Sequence, residues 1–274
     1  MEQPKRVLCI MDLSVVGRAA ASSALPVLAA CGVQACCLPT ALFSTHTGGF
    51  GPVEKQDLAP FAAAALRQWQ REGITFDAVL LGYLCSAAQF SLAEAAFAQY
   101  PAALKLADPA MADGGKLYGG LPKNAVARWR RLCRMADIIT PNHTEAALLA
   151  GADPAVPPPD AAARAARLEA LSAQGQTVVV TGIPAPNGGM AVLARSKADG
   201  TFPTPVQAVP QSYPGAGDAF TAALLGRLLR GDALPAAIET AVRFIAAAAA
   251  ATYAGGGEPR HGLWLEPFLP MLSS

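Results

Sequence analysis

The run VLCIMDLS, residues 7–14, decides how this chain folds. Five apolar residues in succession read as a strand buried on both faces, the habit of strands inside a parallel sheet. The aspartate and serine that follow fall at the strand's carboxyl end, where open α/β sheets collect their ligands. Outward from this run, further β-rich stretches occupy residues 33–38, 78–81, 104–107, 137–139 and 177–181. Helical patterns fill the gaps at 18–30, 57–71, 92–99, 124–135, 144–149 and 160–173. Such alternation predicts an α/β fold, a three-layer α/β/α sandwich with a mostly parallel central sheet. Residues 190–208 change character, and two β-rich pieces joined at Lys197-Ala198-Asp199-Gly200 predict a hairpin. Helices at 218–230 and 235–253 complete the pattern. No composition break divides the chain, and the proline-rich PAVPPPD (154–160) reads as an ordered surface loop. Residues 1–274 are therefore expected to form a single domain.

Composition narrows the partners. At 53% hydrophobic and 15% charged, the 274 residues exclude a disordered chain. A formal net charge of +1 offers no general footprint for nucleic acid or an anionic membrane. Arg128, Arg130, Arg131 and Arg134 cluster in VARWRRLCR and read as a solvated helix face. The N-terminal apolar run is too short for the core of a signal peptide. The longest apolar stretch, residues 244–253, falls below the ~18 expected of a membrane span. Six cysteines with no CxxC spacing fit reduced thiols, so the expected location is cytoplasmic. Three separated histidines argue against a histidine-rich metal site.

Several catalytic motifs are missing. There is no GxxxxGK[ST], no GxSxG and no HExxH, and GAGDAF lacks the third glycine of the dinucleotide fingerprint. What stands out is SYPGAGDAF, residues 212–220, a glycine-rich start to a helix with an aspartate in its first turn. First-turn N–H groups are unpaired and carry the positive end of the helix dipole, so they suit an anion. Taken alone, the stretch favours Asp218 as a helix cap, with a base taking a proton from an alcohol aligned with a phosphoryl group as the other reading. Asp108 and the segment from Asn142 to Glu145 supply hard oxygens suited to Mg²⁺ held through water. Each also has a plainer reading: a strand-end turn for Asp108, a cap for Glu145. The fold rule gathers Asp12-Leu13-Ser14, Gly82-Tyr83, Asp108 and residues 142–145 at one sheet edge, which favours phosphoryl transfer.

The stretches IMDLSVVGRAA (10–20), LPTALFSTHTGGF (38–50), LLGYLCSAAQ (80–89), ADPAMADGGKLY (107–118), ADIITPNHTEAALLAG (136–151) and PGAGDAF (214–220) occur in the order of one family. Through them the chain resembles the pyridoxal kinases of the ribokinase-like superfamily along nearly its whole length. The resemblance implies a kinase using ATP and Mg²⁺ on the 5′-hydroxymethyl group of a vitamin B6 vitamer. By it, Asp218 would be the general base, and the amides of Gly215, Ala216 and Gly217 an anion hole. It sets Asp108, Asn142 and Glu145 around Mg²⁺ and the ATP phosphates, the metal held by Asp108 and Glu145 through water, with Thr140 and Thr181 near the nucleotide. The pyridine ring would lie near Asp12, Ser14, Thr47 and Tyr83. Thr47 and the glycines after it look like a flap closing over substrate, with His46 fixing the loop. A homodimer is also implied. Asp12 stands where one branch of the family has serine, which leaves the vitamer open. A hydroxymethylpyrimidine kinase of the same fold is the alternative enzyme; a non-catalytic carrier of pyridoxal phosphate or nucleotide is the other alternative.

Overall fold

The computed structural model describes residues 3–156, 158, 160–185 and 189–273. The first half contains β1 (Arg6–Val16), α1 (Ala21–Ala30), β2 (Gln34–Thr45), β3 (Lys55–Asp57), α2 (Ala59–Arg71), β4 (Ala78–Leu81), α3 (Ala87–Gln99) and β5 (Leu104–Ala107). A two-strand ribbon of β6 (Ala112–Asp113) and β7 (Lys116–Leu117) follows, then α4 (Ala125–Met135), β8 (Ile138–Ile139), α5 (His143–Ala150) and α6 (Ala161–Leu171). The chain finishes with β9 (Thr177–Pro184), β10 (Met190–Ser196), β11 (Gly200–Val206), α7 (Ala216–Leu229), α8 (Leu234–Ala254) and short 3-10 turns at Pro259–His261 and Glu266–Leu272. Of the proline-rich loop 154–160, Pro157 and Pro159 lie outside the described residues.

Nine strands form one sheet in the order β11-β10-β9-β8-β5-β4-β1-β2-β3. The six from β9 to β2 are parallel, while β10, β11 and β3 pair antiparallel at the two edges. This is the expected mostly parallel sheet, with the expected hairpin as its β10–β11 edge. Strand β1 sends its two faces into different layers. Val7, Cys9 and Met11 join a core with α1, α7 and α8, whereas Leu8 and Ile10 join a core with α2 to α6. Both layers are apolar, so the strand's continuous hydrophobic run is explained by burial on each side.

After β1 the chain steps to β2 on one side and later to β4 on the other. The crevice at that reversal is where such sheets bind ligands, and Asp12 and Tyr83 flank it. Two sequence expectations are corrected here. Arg130 is not on a solvated face: its guanidinium donates to the carbonyls of Leu148 (2.6 Å) and Leu149 (2.9 Å), closing the carboxyl end of α5. Leu234–Ala254 is, by length and composition, long and apolar enough to cross a membrane, which the shorter stretch 244–253 did not suggest. Here it buries Ala237, Ile238, Ala241, Phe244 and Ala248 in the core it shares with α7. All six cysteines are free thiols, as expected; Cys9, Cys31 and Cys133 are buried and the other three half-buried.

Candidate active site

Helix α7 begins on Gly215, whose φ of 80° is in the left-handed region. A Cβ there would stand 1.8 Å from the Arg18 carbonyl oxygen, so only glycine lets the loop before α1 lie against this helix start. The Ala216 N–H reaches the Tyr213 carbonyl at 3.3 Å, while those of Gly215, Gly217 and Asp218 meet no backbone acceptor among the described residues. Three donors at the positive end of a fourteen-residue helix thus remain available to an anion.

Asp218 is half-buried and takes one hydrogen bond, from the Ala20 N–H to Oδ2 at 2.8 Å. Ala20, at φ 48°, is the one non-glycine residue with positive φ among those described. An unfavourable backbone conformation thus aims an amide at the carboxylate. Burial lifts the Asp218 pKa to about 6, against the lowering effect of that bond. Asp12, in the middle of β1, is buried and accepts the Ser14 hydroxyl at 3.0 Å. Burial first, and the Asp218 carboxylate second, push its pKa up to about 7. Burial first, then the charges of Cys85 and Asp12, raise the Tyr83 phenol. Tyr83 stands between Phe43 and Tyr118, with ring centroids 6.3 and 6.4 Å away. Thr47 is exposed on the loop after β2.

The second half of the site lies along β5, β8 and β9. Asp108 is buried at the end of β5, and the Thr221 hydroxyl donates to its Oδ2 at 3.2 Å. Thr221 also meets the Thr140 hydroxyl at 3.1 Å, so α7 supplies both Asp218 and, one turn later, the support for Asp108. Burial raises the Asp108 carboxyl far above the usual carboxylate range, and Glu145 and Asp218 add to it. Asn142 and Glu145 form a capping box at the start of α5: Asn142 Oδ1 accepts the Glu145 N–H at 3.0 Å, and Glu145 Oε2 accepts the Asn142 N–H at 2.8 Å. The other Glu145 oxygen accepts from Met111 and Ala112 at 3.0 and 3.3 Å. Three amides hold this carboxylate, whose pKa burial nonetheless lifts to about 8. Thr181 in β9 is half-buried and bridges to Asn142.

Of the expected residues, Asp12, Ser14, Asp108, Thr140, Asn142, Glu145 and Asp218 are held by hydrogen bonds of their side chains at the carboxyl ends of the strands or the start of α7, whereas Thr47 is exposed on the loop after β2. Sequence reading did not single out Thr221, the Ala20 amide or Tyr118. Tyr118, 39% exposed, follows the β6–β7 ribbon, and burial first, then Glu145, Asp113, Asp218 and Asp108, raise its phenol. The only signal for it was its place at the end of ADPAMADGGKLY. His46 is the loop-fixing residue expected: buried, its Nε2 donates to the Arg260 carbonyl at 2.6 Å and its Nδ1 accepts the Gly48 N–H at 3.1 Å. Those roles define the neutral ring protonated on Nε2, and burial lowers its pKa accordingly.

A parallel sheet with antiparallel edges, and a glycine-bounded helix start facing carboxylates at its carboxyl edge, define a ribokinase-like protein. The phosphomethylpyrimidine kinase family matches residues 17–261. Pyridoxal kinase PdxY of Pseudomonas savastanoi pv. phaseolicola is 32% identical over 255 residues, 87% of this chain and 85% of that protein. Among solved structures, pyridoxal kinase from Lactobacillus plantarum matches at 34% identity and a TM-score of 0.90, covering 98% of this chain and 96% of that one. A putative phosphomethylpyrimidine kinase from Bacteroides thetaiotaomicron, solved with pyridoxal, matches at 31% and 0.92, with the same coverage. The chain belongs to the phosphomethylpyrimidine kinase family, among its pyridoxal kinases.

Proposed function

We propose that this chain phosphorylates the 5′-hydroxymethyl group of a vitamin B6 vitamer with ATP. The observation that carries the reading is Asp218, in the first turn of α7 among three amides with no backbone acceptor among the described residues, and held by the Ala20 amide. In the transfer, the vitamer's hydroxyl gives its proton to the Asp218 carboxylate as its oxygen bonds to the γ-phosphorus, and the bond from that phosphorus to the ADP oxygen breaks. The Gly215 and Gly217 amides stabilise charge on the transferred group, with Ala216 contributing less because its N–H is shared with Tyr213. Asp12, Ser14, Thr47 and Tyr83 receive the pyridine ring. Thr140, Asn142 and Thr181 border the nucleotide.

The residues fit Mg²⁺. Burial raises Asp12, Asp108, Glu145 and Asp218, and neighbouring acids raise the first three further. Asp108 and Glu145 offer hard carboxylate oxygens, the donor type that Mg²⁺ takes alongside water and phosphate oxygens. Asp108 would hold it through water, and Glu145, already bonded to three amides, would add charge from behind. The ion neutralises phosphate charge when bound. The free thiols support a cytoplasmic location, and the family resemblance supports a homodimer, the unit to look for by sedimentation.

The family match and the Bacteroides relative give weight to a second acceptor, hydroxymethylpyrimidine. A panel of pyridoxal, pyridoxamine, pyridoxine and hydroxymethylpyrimidine with Mg-ATP tests both readings. A B6 vitamer is expected to give the highest kcat/KM. Turnover of the pyrimidine alone would reassign the acceptor, and no turnover of any would favour a carrier.

A further inference from the structure

Residues 258–262 lie more than 200 residues after the loop that carries His46 and Phe50, and they meet that loop and the one before α1. The Arg260 carbonyl takes the hydrogen bond from His46, the residue immediately before Thr47. The Phe50 ring is edge-on to both His46 (5.0 Å) and His261 (5.6 Å), and the Arg260 guanidinium lies 5.3 Å from its centroid. Glu258 holds Arg260 at 2.8 Å and His261 at 3.1 Å. The His261 carbonyl accepts the Arg18 N–H at 3.2 Å, and Arg18 pairs with Glu266 at 2.8 Å. Arg18 in turn lies on Gly215, and two residues later Ala20 bonds Asp218. A Cβ on Gly17 would stand 2.5 Å from the His46 ring, so this glycine, at φ 93°, lets loop and ring pack directly.

We propose that residues 258–262 latch the acceptor site, with His46 as the pin. His46 is a positioning residue: through the Arg260 carbonyl it holds Thr47 over the vitamer and keeps water away from Asp218. The chemistry at stake is a competition. When the flap is loose, water replaces the vitamer's hydroxyl, so that the same P–O bond to ADP breaks and free phosphate and a proton are released. The proposal rests on the kinase reading above, and its test includes a measurement that does not.

Two substitutions separate the two bonds of His46. His46→Gln keeps a donor with reach to Arg260; His46→Asn keeps an acceptor for Gly48 and loses that reach. His46→Asn is expected to raise the vitamer KM about tenfold, the usual consequence of losing one buried hydrogen bond. ADP formed per phosphorylated vitamer rises several-fold while the ATP KM stays put, and His46→Gln restores both values. Hydrogen–deuterium exchange without ligands should show faster exchange in residues 46–51 and 258–262 together in His46→Asn. Parental KM and coupling in a fully folded His46→Asn, or faster exchange in 46–51 alone, would overturn the latch. Should that variant not fold, Phe50→Leu, which leaves the hydrogen bonds and removes the ring, is read by the same measurements. If the parent phosphorylates no vitamer, the kinase reading fails and the exchange measurement still decides the latch.

Discussion

Asp218 has the pKa of a base that works near neutrality, and its environment says how it got there. Burial raises it to about 6, while one amide, that of Ala20, holds the charged form in place. A base must be unprotonated to accept the substrate's proton, so kcat/KM should fall as pH drops through about 6 and level off above it. Asp218→Asn is expected to bind ATP nearly as the parent does, to turn over roughly 10²–10⁴-fold more slowly and to lose that acid limb. Steady-state rates from pH 5 to 8 check this; parental turnover in the variant would remove Asp218 as the base. At this scale the carboxylates were legible because each follows an apolar strand or a glycine turn. Thr221 was hidden, since a threonine inside an apolar helix looks like packing. The Ala20 amide had no side-chain signature at all.

Helix α7 depends on a loop that precedes α1 by sequence and touches it only in the fold. Gly215→Ala would push a Cβ into the Arg18 carbonyl and force a side chain into φ 80°. Thermal or urea unfolding should show a loss of about 2–4 kcal/mol, with kcat reduced even where the variant is folded. Gly217→Ala, with open space around its Cβ and ordinary φ, should be neutral or stabilising by up to about 1 kcal/mol. Equal losses at the two positions would refute the close contact as the cause.

Elements were read well where apolar periodicity carried them; residues 78–81 and 104–107 are strands with those bounds. The reading stopped β1 at Met11 because Asp12 is polar, yet the strand runs on to Val16 with a register shift against β2 between Met11 and Leu13. The bond from Ser14 lets an acid stay in a buried strand. Strand β3, Lys55-Gln56-Asp57, is exposed throughout, so no hydrophobic pattern announced it. The β6–β7 ribbon is two residues a side, too short for any period to show.

At the scale of the molecule, three buried acids, Asp12, Asp108 and Glu145, and the half-buried Asp218 are raised by burial, and that has a thermodynamic sign. Asp12, Asp218 and Glu145 have folded-state pKa values raised from 3.8, 3.8 and 4.5 to about 7, 6 and 8. The folded state binds protons more tightly than the unfolded one. The resulting stabilisation is present below about pH 4 and is lost as pH rises through 6 to 8. Urea unfolding without ligands should therefore give lower stability at pH 8 than at pH 5. Asp12→Asn should recover on the order of 2–4 kcal/mol at pH 8 and much less at pH 5. A parent equally stable at both values would show that these acids titrate normally.

The hydrogen bond between His46 and Arg260 spans 214 residues of sequence. During synthesis, Asp12 and the flap leave the ribosome long before the segment that secures them. A nascent chain can thus possess the central strand, and even Asp218, while its acceptor pocket still gapes. Competence arrives late, once Arg260 has emerged to meet His46. Nicking the chain behind Gly257 would return a folded molecule to that immature condition.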